Sequence, residues 1–274
     1  MFTEAYMQRA FLAALCLCPL CALLGVFVTA RRMSFFSETI AHGALAGVAL
    51  GIWLGLNEMT PAVVGFGILV AAAILWLKEN TELLTDTIMA LLLAGSVSLG
   101  LVILSLEKTN PGQIHSYLFG DILSVRNQDV TLAAVLAVII GGGVFWNLSA
   151  LTLITAQEEL AHVSGIPVKR LNYLFVLVLT ITVATSIRLL GIMLVTSLVV
   201  IPPAAARNLS RNLRQQIIYS VLMGLLGGFG GIALAYRLDV PCGPTIVLTC
   251  IGLFIVSLVL RGFTVGKPVT PAQT

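Results

Sequence analysis

The chain has 274 residues, 58% of them hydrophobic and only 10% charged, with a formal net charge of +3. A soluble domain carries about 25% charged residues, so this composition excludes a soluble protein of this size. The Lys and Arg residues form no basic stripe, which excludes a nucleic-acid binder. The apolar residues fall into continuous runs long enough to cross roughly 30 Å of hydrocarbon at about 1.5 Å per helical residue. The expected fold class is an all-α polytopic membrane protein. A β-barrel would instead show alternating segments of about ten residues.

Nine apolar segments are expected, at roughly 10–30, 38–56, 61–77, 86–106, 130–148, 171–187, 189–206, 214–236 and 243–261. The sixth and seventh are separated only by Arg188. The count is eight if these two merge or if one segment is re-entrant. The first run ends in Arg31-Arg32 with no small-residue cleavage site after it, so it reads as a span and not as a removed signal peptide. Cys16, Cys18 and Cys21 lie inside that run and Cys250 inside the last. Thiols at i, i+2 and i+5 do not share a helix face, so they read as small apolar side chains. Cys242, near a helix end, is the one thiol expected to be exposed.

In the second segment Gly43, Gly47, Gly51 and Gly55 recur every fourth residue. This small-xxx-small stripe is read as helix packing. Pro202-Pro203 are expected to break or kink the seventh segment, with Thr196 and Ser197 near enough to satisfy the freed carbonyls. Gly227, Gly228, Gly230 and Gly231 suggest close packing or a bend in the eighth.

Two connections are too long for simple turns. Residues 107–129 contain SYLFGDIL, a short amphipathic helix by pattern. Residues 155–171 read as a short helix ending at Gly165, with Pro167 beyond it. With nine alternating spans, ten Lys and Arg residues fall on one side and five on the other. The richer side is expected to be cytoplasmic, which puts the C-terminus inside and the N-terminus outside.

Ionisable groups inside a membrane helix are costly and mark functional paths. Glu38 and His42 stand at i and i+4, on one helix face. Both can reach one divalent cation, and an oxygen–nitrogen pair suits Zn²⁺, Mn²⁺ or Fe²⁺ better than Cu⁺. The spacing is equally compatible with a helix-end Glu–His pair in which Glu38 answers the macrodipole. His115 and His162 read as surface residues. Asp121 reads as an ordinary surface aspartate or as a cation attractor at an outer mouth. No GxxxxGK[ST], HExxH or GxSxG string occurs, so a P-loop ATPase, an intramembrane metalloprotease and a nucleophile-elbow hydrolase are discarded. Glu159, Ala161 and Gly165 match the short "EAA" loop by which ABC importer permeases dock onto their ATPase.

With these strings in view, the chain resembles the zinc/manganese/iron ABC importer permeases (ZnuB-like) from about Leu24 to Leu260. The resemblance rests on RRMSFFSETIAHGALAGVALG at 31–51, YLFGDIL at 117–123, EELAHVSGI at 158–166, GIMLVTSLVVIPPAAAR at 191–207, and Asp239-Val240-Pro241-Cys242-Gly243-Pro244. It implies one permease domain over 1–274, with an extracytoplasmic loop at 107–129, a cytoplasmic coupling loop at 155–171 and a cytoplasmic tail at 262–274. It also implies a bacterial inner-membrane homodimer, a cytoplasmic ABC ATPase subunit and an extracytoplasmic metal-binding protein as partners. No cofactor would be bound permanently, and the protein would not itself be an enzyme. The metal would be held by Glu38 and His42; the family more often has Asp at the first place, and Glu adds one methylene. Asp121 and Asp239 would line the outer entrance, and Glu158, Glu159, Ala161 and Gly165 would couple to the ATPase.

The expected mechanism is ATP-driven alternating access for a divalent transition metal, zinc in the first place and manganese or iron otherwise. The ligands bind metal only when deprotonated, so transport is expected to fall at acid pH as His42 protonates. The rival readings are a gradient-driven metal transporter or channel, a membrane-embedded enzyme, and a permease for a metal chelate.

Overall fold

The computed structural model describes residues 5–56, 58–106 and 126–264. The string SYLFGDIL, with Asp121 and the nearby His115, lies outside the described residues, as do 265–274. Among the described residues every regular element is a helix. In chain order they are α1 (Ala5–Ala30), α2 (Ser34–Trp53), α3 (Thr60–Asn80), α4 (Thr85–Leu106), α5 (Asn127–Trp146), α6 (Leu148–Ala156), α7 (Glu158–Val163), α8 (Val168–Leu190), α9 (Ile192–Leu209), α10 (Leu213–Leu238) and α11 (Cys242–Thr264). All but α6 and α7 are long and apolar enough to cross a membrane, which makes nine candidate spans among the described residues.

Two boundaries differ from the sequence expectation. The break between the sixth and seventh spans falls at Gly191, not at Arg188. Gly191 adopts φ 81° and ψ 163°, a backbone state that only glycine takes readily. Arg188 stays in the last turn of α8 and donates to Thr60 Oγ1 at the start of α3 (3.3 Å). The fifth apolar run is also longer than one span: after Asn147 it continues as α6.

α2 is the least apolar of the nine spans and the most deeply buried. Lipid does not need to solvate it, because α3, α4, α8 and α9 surround it. Small residues make that packing possible. A Cβ on Gly47 would come within 2.7 Å of the Val63 backbone on α3. A Cβ on Gly100 of α4 would come within 2.9 Å of the Ala46 nitrogen. Gly43 makes only ordinary contacts, and Gly55 lies beyond the helix at φ 66°, so the four-glycine stripe divides into close packing and a turn.

On the other side α10 packs between α1 and α11 through Gly227, Gly228 and Gly231. A Cβ on Gly228 would meet Cys18 Sγ at 2.7 Å, and one on Gly227 would collide with Cys250 Sγ. These two thiols therefore fill glycine-lined gaps in the core, in line with the apolar reading. Cys242 is half-buried at the start of α11.

α9 runs unbroken through Pro202 and Pro203. Thr196 donates to the Ile192 and Met193 carbonyls and Ser197 to that of Met193. They bond one turn behind themselves and do not reach the carbonyls of Leu198 and Val199, which the two prolines release.

Candidate functional site

The turn between α1 and α2 sets the position of the Glu38–His42 pair. Met33 N donates to Val28 O (2.9 Å) and Arg32 N to Thr29 O (3.2 Å), the paired bonds of a Schellman cap. Arg32 takes the left-handed place at φ 56°, which a glycine would hold without strain. α2 then begins at Ser34. At about 1.5 Å per residue, Glu38 lies roughly 6 Å and His42 roughly 12 Å along the helix from its start.

Both side chains are half-buried, while Ser37, Thr39, Ile40 and Ala41 around them are buried. Thr39 Oγ1 donates to Phe35 O (2.9 Å) and Met89 O (3.2 Å), which pins this turn of α2 against α4. Further along the same face Leu45 and Ala49 pack with Leu104 of α4. No hydrogen bond or ion pair to a described residue occupies Glu38 or His42. Among the described residues no third His, Cys, Asp or Glu joins them. One chain therefore offers a carboxylate and an imidazole, one turn apart and unengaged.

The other sequence candidates lie elsewhere. Asp239 ends α10 in the left-handed conformation (φ 52°, ψ 48°), and its helix packs on α1, α9 and α11. His162 is exposed. Asp121 and His115 fall outside the described residues.

The short helix α7 accounts for the Glu–Ala–Gly spacing in physical terms. Glu158 and Glu159 sit in its first turn, where negative charge suits the helix N-terminus. Ala161 is fully buried with Ile154 and Val168, so a small residue is required there. Gly165 takes φ 74° while Ile166 N donates to Ala161 O and Gly165 N to His162 O, both 3.1 Å. Leu160 and Val163 stand 50% and 86% exposed on this helix, away from the spans.

Beside α7 lies a cavity of about 430 Å³, lined by Arg31, Lys78, Glu79, Glu158, His162 and Lys169 among others. Sequence reasoning treated Arg31 and Arg32 alike. In the fold Arg32 is exposed and Arg31 is folded inward. Arg31 Nε donates to Thr155 Oγ1 (3.1 Å) and Nη1 to Asn172 Oδ1 (2.9 Å). Its guanidinium also lies 4.6 Å from the Phe175 ring centre, a cation–π geometry. Burial lowers its pKa to about 10, while the nearby Glu158 carboxylate pulls it back up, so it stays charged at neutral pH.

Known proteins resemble this chain along almost its whole length. Residues 3–261 match the ABC 3 transport family. The high-affinity zinc uptake system membrane protein ZnuB of Haemophilus influenzae is 33% identical over 252 residues, covering 92% of this chain and 96% of that protein. The manganese import system permease protein ScaB of Streptococcus parasanguinis is 29% identical, covering 92% and 89%. The structure of PsaBC from Streptococcus pneumoniae in complex with Fab superposes with a TM-score of 0.82 at 27% identity, covering 93% of this chain and 92% of that one. With nine candidate spans among the described residues and the family match covering residues 3–261, this chain is a multi-pass membrane protein of the ABC 3 transport family.

Proposed function

We propose that the chain is the permease subunit of an ABC importer for a divalent transition metal, zinc in the first place, with Glu38 and His42 as its transient ligands. The observation that carries this reading is the pair itself: two metal-competent side chains, one turn apart, half-buried in the most enclosed span and engaged by no other described residue. The zinc and manganese relatives support a metal cargo, and an oxygen–nitrogen pair suits Zn²⁺, Mn²⁺ and Fe²⁺ alike.

Two ligands are too few, since zinc takes about four. A second copy of the chain, related by two-fold symmetry, supplies another Glu38 and His42 and completes the set. The cargo passes from an extracytoplasmic binding protein to this site, with Asp121 and Asp239 toward the outer entrance. The end carrying Arg31, Lys78 and Lys169 faces the cytoplasm, as the surplus of basic residues there requires. A separate ABC ATPase docks on α7, where exposed Leu160 and Val163 want an apolar partner and the acidic first turn adds charge. Its cycle drives the alternating access, and this chain hydrolyses nothing itself. Affinity is modest, because an ion held too tightly does not leave.

The test is equilibrium binding of Zn²⁺, Mn²⁺ and Fe²⁺ to the full chain in lipid nanodiscs. One ion per pair of chains is expected, lost in Glu38→Ala and in His42→Ala while the pair of chains stays assembled. Unchanged binding in both variants rejects the site.

A further inference from the structure

Arg31 joins three parts of the fold at one point. It leaves the α1–α2 turn, bonds Thr155 at the end of α6 and Asn172 on α8, and stacks on Phe175. Thr155 is itself fixed, donating to Leu151 O at 2.6 Å. The turn is equally fixed, because the Schellman bonds tie Arg32 and Met33 to α1, and Phe36 N donates to Met33 O. A displacement of Arg31 therefore moves the start of α2, and with it the turn carrying Glu38.

One donor of this guanidinium is idle. Arg31 Nη2 is buried and has no hydrogen-bond partner among the described residues. A buried charged donor left unpaired is costly, so the arrangement gains free energy when an acceptor reaches it. The acceptor at hand is Glu158, on the first turn of α7, which lines the same cavity and already acts on Arg31 through its field. Lys78 and Lys169 line that cavity too.

We propose that Arg31 is a positioning latch between α7 and α2: when α7 is pressed toward the spans, the Glu158 carboxylate closes onto Arg31 Nη2, and the α1–α2 turn carries that movement to the Glu38–His42 turn. The second state is the one with the ion pair made; the state described here has it open. This rests on the import reading for its purpose, but the linkage itself is a property of this chain alone. Arg31 and Glu158 form a double-mutant cycle, which measures their coupling directly.

The experiment has two arms. In the first, hydrogen exchange is followed in lipid nanodiscs in the full chain with its ATPase and ATP bound, so that α7 is loaded, for wild type, Arg31→Met, Glu158→Gln and the double variant. Arg31→Met is expected to speed exchange in the first two turns of α2 as well as in α6 and α7, by roughly tenfold, the scale of one charge-assisted bond network. Glu158→Gln is expected to speed exchange in α2 only while Arg31 is present. Additive effects, or an α2 unchanged by Arg31→Met, overturn the latch.

In the second arm the chain is reconstituted in vesicles with its ATPase and binding protein, and metal uptake is measured per ATP hydrolysed. Both single variants are expected to lower that ratio, with the double no worse than either. A normal ratio in variants that merely yield less folded protein makes Arg31 a structural residue and overturns the latch. A wild-type complex that moves no metal, with the exchange cycle as expected, overturns the import reading and leaves the linkage standing.

Discussion

Gly25 of α1 presses against the carbonyl of Val199, the one that Pro203 leaves without its helical donor. The absence of a side chain lets the two backbones approach where a polar group would otherwise face apolar surroundings. An added Cβ would overlap that oxygen and lie 2.8 Å from Pro203 Cγ. Gly25→Ala is expected to cost about 1–3 kcal/mol by overpacking, read as a lower Tm of the purified protein. Gly43→Ala serves as the control: its Cβ meets nothing closer than 3.8 Å, and its Tm should stay near wild type.

Residue 38 is expected to tune metal choice. Glu38→Asp draws the carboxylate back by about one bond length, 1.5 Å. That keeps the ligand atoms but changes their reach, so the ratio of Zn²⁺ to Mn²⁺ taken up should shift while uptake persists. Glu38→Ala should lower both by tenfold or more, equivalent to at least about 1.4 kcal/mol. Equal uptake ratios in wild type and Glu38→Asp would place the metal elsewhere.

α7 offers a separable lesion. Gly165 holds φ 74° in open space, so Gly165→Ala strains the cap without a clash. A left-handed non-glycine residue costs roughly 1–2 kcal/mol, enough to fray a helix of six residues. The variant should reach the membrane and bind metal normally, yet retain less ATPase on co-purification and transport more slowly. Retention of the ATPase at wild-type levels would argue that α7 is not its seat.

The neighbouring arginines at the α1–α2 turn should respond in opposite ways. Arg32 is exposed and strained at φ 56°, so Arg32→Gly removes about 1–2 kcal/mol of strain against up to about 1 kcal/mol of added chain entropy. Its Tm should be unchanged or higher. Arg31→Met loses two hydrogen bonds and a cation–π contact, and its Tm should fall. A thermal shift assay on both variants separates them, and equal shifts would contradict the burial assigned to Arg31.

Much of this was legible in the sequence, because hydrocarbon thickness imposes long apolar runs and helical spacing puts Glu38 beside His42. The turn falls at Gly191 and not at Arg188 because the break needs a positive φ, while the Arg188 side chain still completes the last turn of α8. The helix α6 was missed since LSALTLITA continues an apolar run without any polar break. Thr196 and Ser197 lie within two turns of the prolines in sequence, but a hydroxyl in a helix bonds its own i−4 carbonyl first. Arg31 could not be told from Arg32 by sequence, because which one turns inward depends on Thr155, Asn172 and Phe175, all more than a hundred residues away.

On the proposed function, Glu38 and His42 carry a metal ion inward. The most direct measurement is cellular accumulation of zinc, manganese and iron with the chain co-expressed with its ATPase and binding protein, comparing wild type with His42→Ala at matched membrane levels. Accumulation of one metal by wild type and its loss in His42→Ala is the predicted result. Accumulation that survives His42→Ala unchanged would contradict the site, and no accumulation by wild type would contradict the importer itself.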